Sequence, residues 1–166
     1  MSAIDDPKTL GRARLSFADQ HDIDEFLATL EKFERGEIGP DKWRAFRLVR
    51  GTYGQRQDGD VHMLRVKVPQ GVLNLRQLYA LATVAETYSR GFGHITTRQN
   101  IQFHFVKLHD VELAMQLLAD VGVTTREACG NSVRNITCCP YAGVAKSELF
   151  DVTPFAEALT RYFLRH

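Results

Sequence analysis

Apolar residues recur at helical spacing in four windows of the chain and alternate with polar ones in two others. The first helical window places Ile23, Phe26, Leu27, Leu30 and Phe33 on one face, with Asp22 and Glu25 as a capping-box-like start and Gly36 as its end. Residues 61–69 then alternate, with Leu64, Val66 and Val68 on one side of a strand and Met63, Arg65 and Lys67 on the other. Gln70-Gly71 makes a turn into a second helix, capped by Asn74 with Gln77 in the reciprocal position. Leu75, Leu78, Tyr79, Ala82 and Ala85 are its expected buried face, and Gly91 lies just past its end. Residues 94–105 alternate again: Ile95, Ile101, Phe103 and Phe105 face one way, and His94, Thr96, Arg98, Asn100, Gln102 and His104 the other. A third helix, capped by Asp110 and ended by Gly122, turns Leu113, Ala114, Leu117, Leu118 and Val121 inward. A last one, capped by Thr153 with Pro154 at its first position, carries Phe155, Ala158, Leu159, Tyr162 and Phe163 on one side.

Strand, helix, strand, helix is the order of an α+β, ferredoxin-like βαββαβ unit. The strand count requires residues 94–105 to bend into two strands near Arg98-Gln99-Asn100, where Asn100 tolerates a turn. Residues 1 to about 20 lack an apolar period and read as a loosely ordered arm. The apolar stripe of the last helix needs a surface to cover, which suggests a truncated chain.

The polar side of residues 94–105 is rich in Arg, Gln, Asn and His, the donors that hold a large anionic ligand. The plainer alternative is a half-buried strand with polar outer residues. Lys42, Arg44, Arg47, Arg50 and Arg56 are interleaved with Trp43, Phe46, Leu48 and Tyr53, a mixture that suits a solvated basic helix, a nucleic-acid surface or a clamp on an anion. Within it, Gly51-Thr52-Tyr53-Gly54-Gln55-Arg56-Gln57 reads as a glycine-framed turn followed by three long polar side chains. A net charge of +1 argues against a general nucleic-acid binder. No apolar run approaches the roughly 20 residues of a membrane span, and the start has no secretory pattern, so a cytoplasmic location is expected. Cys129, Cys138 and Cys139, three in eleven positions, suit reduced thiols better than a disulfide framework or a self-contained zinc site. They sit in a Gly-, Asn- and Arg-rich stretch over residues 129–143, which reads as a presenting loop.

Together, four pieces resemble the siroheme-containing nitrite/sulfite reductase family. They are Gly51-Thr52-Tyr53-Gly54-Gln55-Arg56-Gln57, Met63-Leu64-Arg65-Val66-Lys67-Val68-Pro69-Gln70-Gly71, Gly93-His94-Ile95-Thr96-Thr97-Arg98-Gln99-Asn100-Ile101-Gln102-Phe103-His104, and Gly130-Asn131-Ser132-Val133-Arg134-Asn135. The resemblance covers roughly residues 40–166 and implies an N-terminal part of such an enzyme. It divides the chain into an arm with helices (1–50), a ferredoxin-like half domain (51–124) and the start of a siroheme and iron–sulfur domain (125–166).

The resemblance further implies siroheme, a tetrapyrrole with eight carboxylates, coupled to a [4Fe-4S] cluster, and six-electron reduction of nitrite to ammonia or of sulfite to sulfide. Arg65 and Arg134 would line the substrate side of the iron. Arg56, Arg98, Gln102 and Asn135 would hold siroheme carboxylates, with Lys67, His94, Thr96 and His104 in the same cofactor-binding set. His94 stands where relatives can have Arg, and a protonated His could still pair with a carboxylate. The family's cluster ligands come as C-x5-C and C-x3-C, which these cysteines do not match; the expectation is that they pack beneath the macrocycle. Cluster ligands, substrate-binding lysines and a second half domain are expected in a missing C-terminal half, so the fragment alone would be inactive. The implied electron donor is ferredoxin or a flavoprotein reductase. The rival readings are a stand-alone ferredoxin-like module that binds RNA or protein, with Phe103 and Phe105 as stacking platforms, and a scaffold that has lost its cofactor.

Overall fold

The computed structural model describes residues 16–57 and 59–166, so most of the expected N-terminal arm lies outside the described residues. The elements are α1 (Gln20–Glu34), α2 (Pro40–Val49), β1 (Thr52–Gly54), β2 (Val61–Val66), α3 (Leu75–Tyr88), β3 (His94–Ile95), β4 (Ile101–Lys107), α4 (Leu108–Ala119) and α5 (Thr153–Phe163). The four strands form one antiparallel sheet in the order β1-β2-β4-β3. Leu64, Val66, Phe103 and Val106 face a core completed by Leu81 and Val84 of α3 and by Val111, Ala114 and Leu118 of α4. Ile23, Phe26 and Leu30 of α1 extend this core, and Trp43 of α2 stacks between Phe33 and Phe46. Gly51 is required where α2 turns into β1: its φ is +80°, and a Cβ there would lie 2.5 Å from the Arg65 carbonyl oxygen.

From β2 onward the order is β-α-β-β-α, the expected ferredoxin-like succession. Its sixth element, the fourth strand of the unit, is reduced to one antiparallel bridge, Lys67 with Thr124. Arg65 N–H donates to Gly51 O and Lys67 N–H to Thr124 O, both at 2.8 Å, so β1 and Thr124 share one edge of β2. The hairpin expected near Arg98-Gln99-Asn100 is present between β3 and β4, with Gln99 at φ 58° rather than Asn100 supplying the left-handed residue. Asn100 is instead buried, accepting from Val68 N–H at 3.2 Å.

Several local expectations are corrected. Thr52–Gly54 is a strand rather than a turn. The capping box of α3 is formed by Asn74 and Gln77 as expected, yet the helix buries Ala80, Leu81, Val84 and Ala85 and exposes Leu75, Leu78 and Tyr79. Two apolar stripes run along it, and the sheet selects the one bearing β-branched Val84 over the one bearing a phenol. Alternation also fails at both ends of residues 94–105. Ile95 is 82% exposed on a two-residue edge strand. The register shifts opposite His62 and Leu64, Phe105 takes φ 64°, and Val106 occupies the core position that period two assigns to Phe105. Asp19, not Asp22, caps α1, and α4 begins at Leu108, with Asp110 in its first turn and Leu113 exposed. In α5, Thr153 is the first helical residue, donating its N–H and Oγ1–H to Asp151 Oδ1, and Phe155, Leu159 and Tyr162 are exposed.

Candidate functional site

Arg65 lies between Leu64 and Val66, both fully buried in the core, so the pleat sends it to the opposite face of the sheet. It pairs in register with Gln102 on β4, which pairs in turn with His94 on β3. The three form a polar row across the face that the core does not use. With its amide oxygen toward β2, Gln102 accepts from Arg65 Nη2 and, at 2.9 Å, from Arg65 Nε. Arg65 Nη1 donates to Ala128 O at 3.4 Å, which ties β2 to the segment that follows α4.

That segment closes a cavity of about 330 Å³ lined by Tyr53, Met63, Arg65, Cys129, Gly130 and Arg134. Arg134 reaches it with a buried Nε that has no hydrogen-bond partner among the described residues. Burial pushes the Cys129 thiol above its usual pKa, and the nearby Arg65 and Arg134 guanidinium groups work against that rise. Next along β4, His104 Nδ1 accepts from Gln55 Nε2 at 3.2 Å, and its ring centroid is 5.1 Å from that of His94. Burial, then His94 and Arg65, hold the His104 pKa below the usual imidazole value, so its neutral form is favoured.

The remaining candidates have other placements. Lys67 points to the same side as Arg65 but is only 3% exposed, with Nζ 3.7 Å from Glu127 Oε2 and 3.4 Å from Val133 O. Burial lowers its pKa, with the Glu127 carboxylate opposing the change. Thr96 Oγ1 accepts from the N–H groups of Arg98 and Asn100 and so shapes the hairpin turn. Arg98 donates Nη2 to Asn135 O at 3.1 Å, and Asn135 donates Nδ2 back to Arg98 O at 2.9 Å and to Val68 O at 2.7 Å. Asn135 is 2% exposed, and its contacts bind the hairpin to the loop. Arg56 is exposed beyond β1, near the end of β2 opposite Arg65, and does not line the cavity.

Comparison with known proteins gives the same frame. Residues 53–121 match the nitrite/sulfite reductase ferredoxin-like half domain. The match takes in the four-stranded sheet with α3 and α4 and leaves the flanking residues outside it.

Among relatives of the half domain, the assimilatory ferredoxin-dependent nitrite reductase of Haloferax mediterranei is 38% identical over 70% of this chain and 22% of its own length. The ferredoxin–nitrite reductase of Synechococcus elongatus is 39% identical over 58% of this chain and 19% of its length. The ferredoxin sulfite reductase of Mycobacterium tuberculosis is 32% identical over 61% and 18%. The solved structure of the Mycobacterium tuberculosis NirA protein superposes with a TM-score of 0.72 at 26% identity, over 87% of this chain and 32% of that one. The chain thus spans about a fifth of the length of these curated relatives.

Around the half domain, Tyr53, read from the sequence as part of the glycine-framed motif, and Cys129, read as a packed thiol, both stand on the cavity wall. Tyr53 pairs with Met63 in register, so the alternation that placed Met63 beside Arg65 becomes informative once residues 52–54 are seen to be a strand. Gln55, one of the three long polar side chains of that motif, braces β4 by accepting from Phe105 N–H at 2.6 Å while holding His104. The basic residues of α2 divide: Lys42 and Arg44 are exposed, whereas Arg47 and Arg50, the latter just past the helix, turn inward. Arg50 pairs with Glu25, and Arg47 donates to Thr52 O at 3.2 Å. Among the described residues no group of three or more His, Cys, Asp or Glu could hold a metal ion, and no helix is long and apolar enough to cross a membrane.

Proposed function

We propose that the chain is part of a siroheme and [4Fe-4S] nitrite or sulfite reductase and that its half domain forms one wall of the pocket holding siroheme and the anion. The observation that carries this reading is the convergence of Arg65 and Arg134, from the sheet and from the loop after α4, on one cavity. The donor set fits a polyanion. A guanidinium with a buried, unpartnered Nε calls for an acceptor, and carboxylates or a small oxyanion supply one. Siroheme with its coupled cluster would supply the reducing electrons. Arg65, braced by Gln102, and Arg134 would bind the anion's oxygens and neutralise charge, with the His94 and His104 rings next to Gln102 on the same face.

On this reading Arg98, Lys67, Thr96 and Asn135 act on the cofactor largely through the frame they build, and Arg56, exposed beyond β1, would meet a siroheme carboxylate directly. The cluster ligands come from outside residues 1–166, because Cys129, Cys138 and Cys139 match neither ligand spacing. Residues 51–124 form the half domain and 125–166 open the cofactor domain, after an arm and helices over 1–50. Ferredoxin, the donor in the relatives' names, is the electron source we favour over a flavoprotein, and the cytoplasm is the compartment. An RNA-stacking role lacks its platform: Phe103 is 2% exposed, and the Arg90 guanidinium covers the Phe105 ring at 3.4 Å from its centroid.

The test is the absorption spectrum of the full-length protein made in cells that synthesise siroheme. Siroheme bands are expected, and a colourless protein overturns the reading. Arg134→Ala and Arg65→Ala should depress anion reduction more than siroheme content. Equal loss of both would remove these arginines from the substrate side.

A further inference from the structure

Cys138 and Cys139 do not line the arginine cavity; they border a separate cleft of about 220 Å³ together with Gly71, Ile95 and Gln99. Both are free thiols, Cys139 exposed and Cys138 half-buried. Gln99, the left-handed residue of the hairpin turn, grips the backbone of this pair. Its Nε2 donates to Cys138 O at 2.7 Å, and its Oε1 accepts from Cys138 N–H at 3.1 Å. The carbonyl it holds belongs to the peptide that joins the two cysteines, so one peptide plane serves both the hairpin tip and two adjacent thiols.

We propose that Cys138 and Cys139 form a reversible vicinal disulfide whose closure releases the Gln99 latch on the β3–β4 hairpin. Adjacent Cα atoms lie about 3.8 Å apart across a trans peptide, short of the roughly 4.4–6.8 Å usual for a disulfide. Ring closure therefore twists the Cys138–Cys139 peptide and turns away the carbonyl that Gln99 holds. A bond strained in this way is readily reduced, which suits a switch better than a permanent cross-link.

The oxidant is a low-molecular-weight disulfide. The Cys139 thiolate attacks it, forming a mixed disulfide and expelling one small thiolate. The Cys138 thiolate then attacks Cys139 Sγ and expels the second. Two protein thiols give up two protons and two electrons in total, and the small disulfide is reduced to two thiols. Cys139 is exposed and Cys138 half-buried, so Cys139 meets the small disulfide first; burial, followed by the Asp151 and Cys139 charges, raises the Cys138 thiol pKa. The adjoining cleft gives the small thiol room. None of this depends on siroheme, so the two proposals fail separately.

The full-length protein is equilibrated in glutathione buffers of graded oxidised-to-reduced ratio, blocked with N-ethylmaleimide and digested with trypsin. Cleavage after Arg134 and Lys146 yields residues 135–146, which contain both thiols and exclude Cys129. At the oxidising end this peptide should be unblocked and lighter by two hydrogens, and dithiothreitol followed by fresh N-ethylmaleimide should convert it to the doubly blocked form. Amide exchange over residues 96–101 should rise about tenfold in the oxidised protein. Cys139→Ser should abolish both changes, and Gln99→Ala should exchange fast in either redox state. Two thiols blockable in every buffer, glutathione adducts alone, or a disulfide that leaves hairpin exchange unchanged would each overturn the proposal.

Discussion

The two faces of the four-stranded sheet use the same pleat for opposite ends. On the helix-covered face Leu64, Val66 and Phe103 are almost wholly excluded from solvent and hold position by packing. On the other, Arg65, Gln102 and His94 keep their order by hydrogen bonds and register, and the loop after α4 leaves a cavity at Arg65. Neighbours on that second face diverge sharply. Arg65 opens onto the cavity, whereas Lys67, two residues on, is sealed beneath the loop against Glu127. Shared orientation on a strand therefore does not imply shared access; the covering loop decides.

Substitutions can break or sharpen this contrast. Phe103→Ala should cost the most, about 3–5 kcal/mol in a urea titration; a cost near zero would mean that the core lies elsewhere. Glu127→Ala leaves the buried Lys67 ammonium without its carboxylate and should cost about 3 kcal/mol. Its pH dependence gives a second readout. The folded-state pKa of Lys67 lies below 10.5, so the unfolded chain binds the extra proton and stability rises with pH from the folded value up to 10.5. In Glu127→Ala that rise should begin at lower pH, and an unchanged profile would remove the pair from the account. Gln102→Leu frees the Arg65 fork and should cost about 1 kcal/mol, and under the proposed function it should weaken anion binding as well. Ile95→Thr, on an edge strand at 82% exposure, should stay within about 0.5 kcal/mol of the parent.

Period two over residues 61–69 correctly separated the core side chains from Arg65 and Lys67, and the Asn74–Gln77 capping box was legible because both partners are local. What escaped is set by contacts distant in sequence. Phe105 leaves the core because of a register shift against β2, a fact about pairing rather than about its own neighbours. The exposed stripe of α3 is as apolar as the buried one, so periodicity finds two faces and cannot choose between them. The site shows the same division. Arg65 and Arg134 were nameable from motif and meet at one cavity, whereas the engagement of Asn135 with Val68 and Arg98 becomes visible only when the hairpin and loop are folded together.

The reduction of the unit's last strand to the Lys67–Thr124 bridge bears on solubility. With β1 three residues long and β3 two, neither rim of the sheet offers a long ladder of unpaired amides on which a foreign strand could grow. A chain with this many exposed apolar side chains on its helices is thereby denied the commonest route from sticky surface to cross-β aggregate.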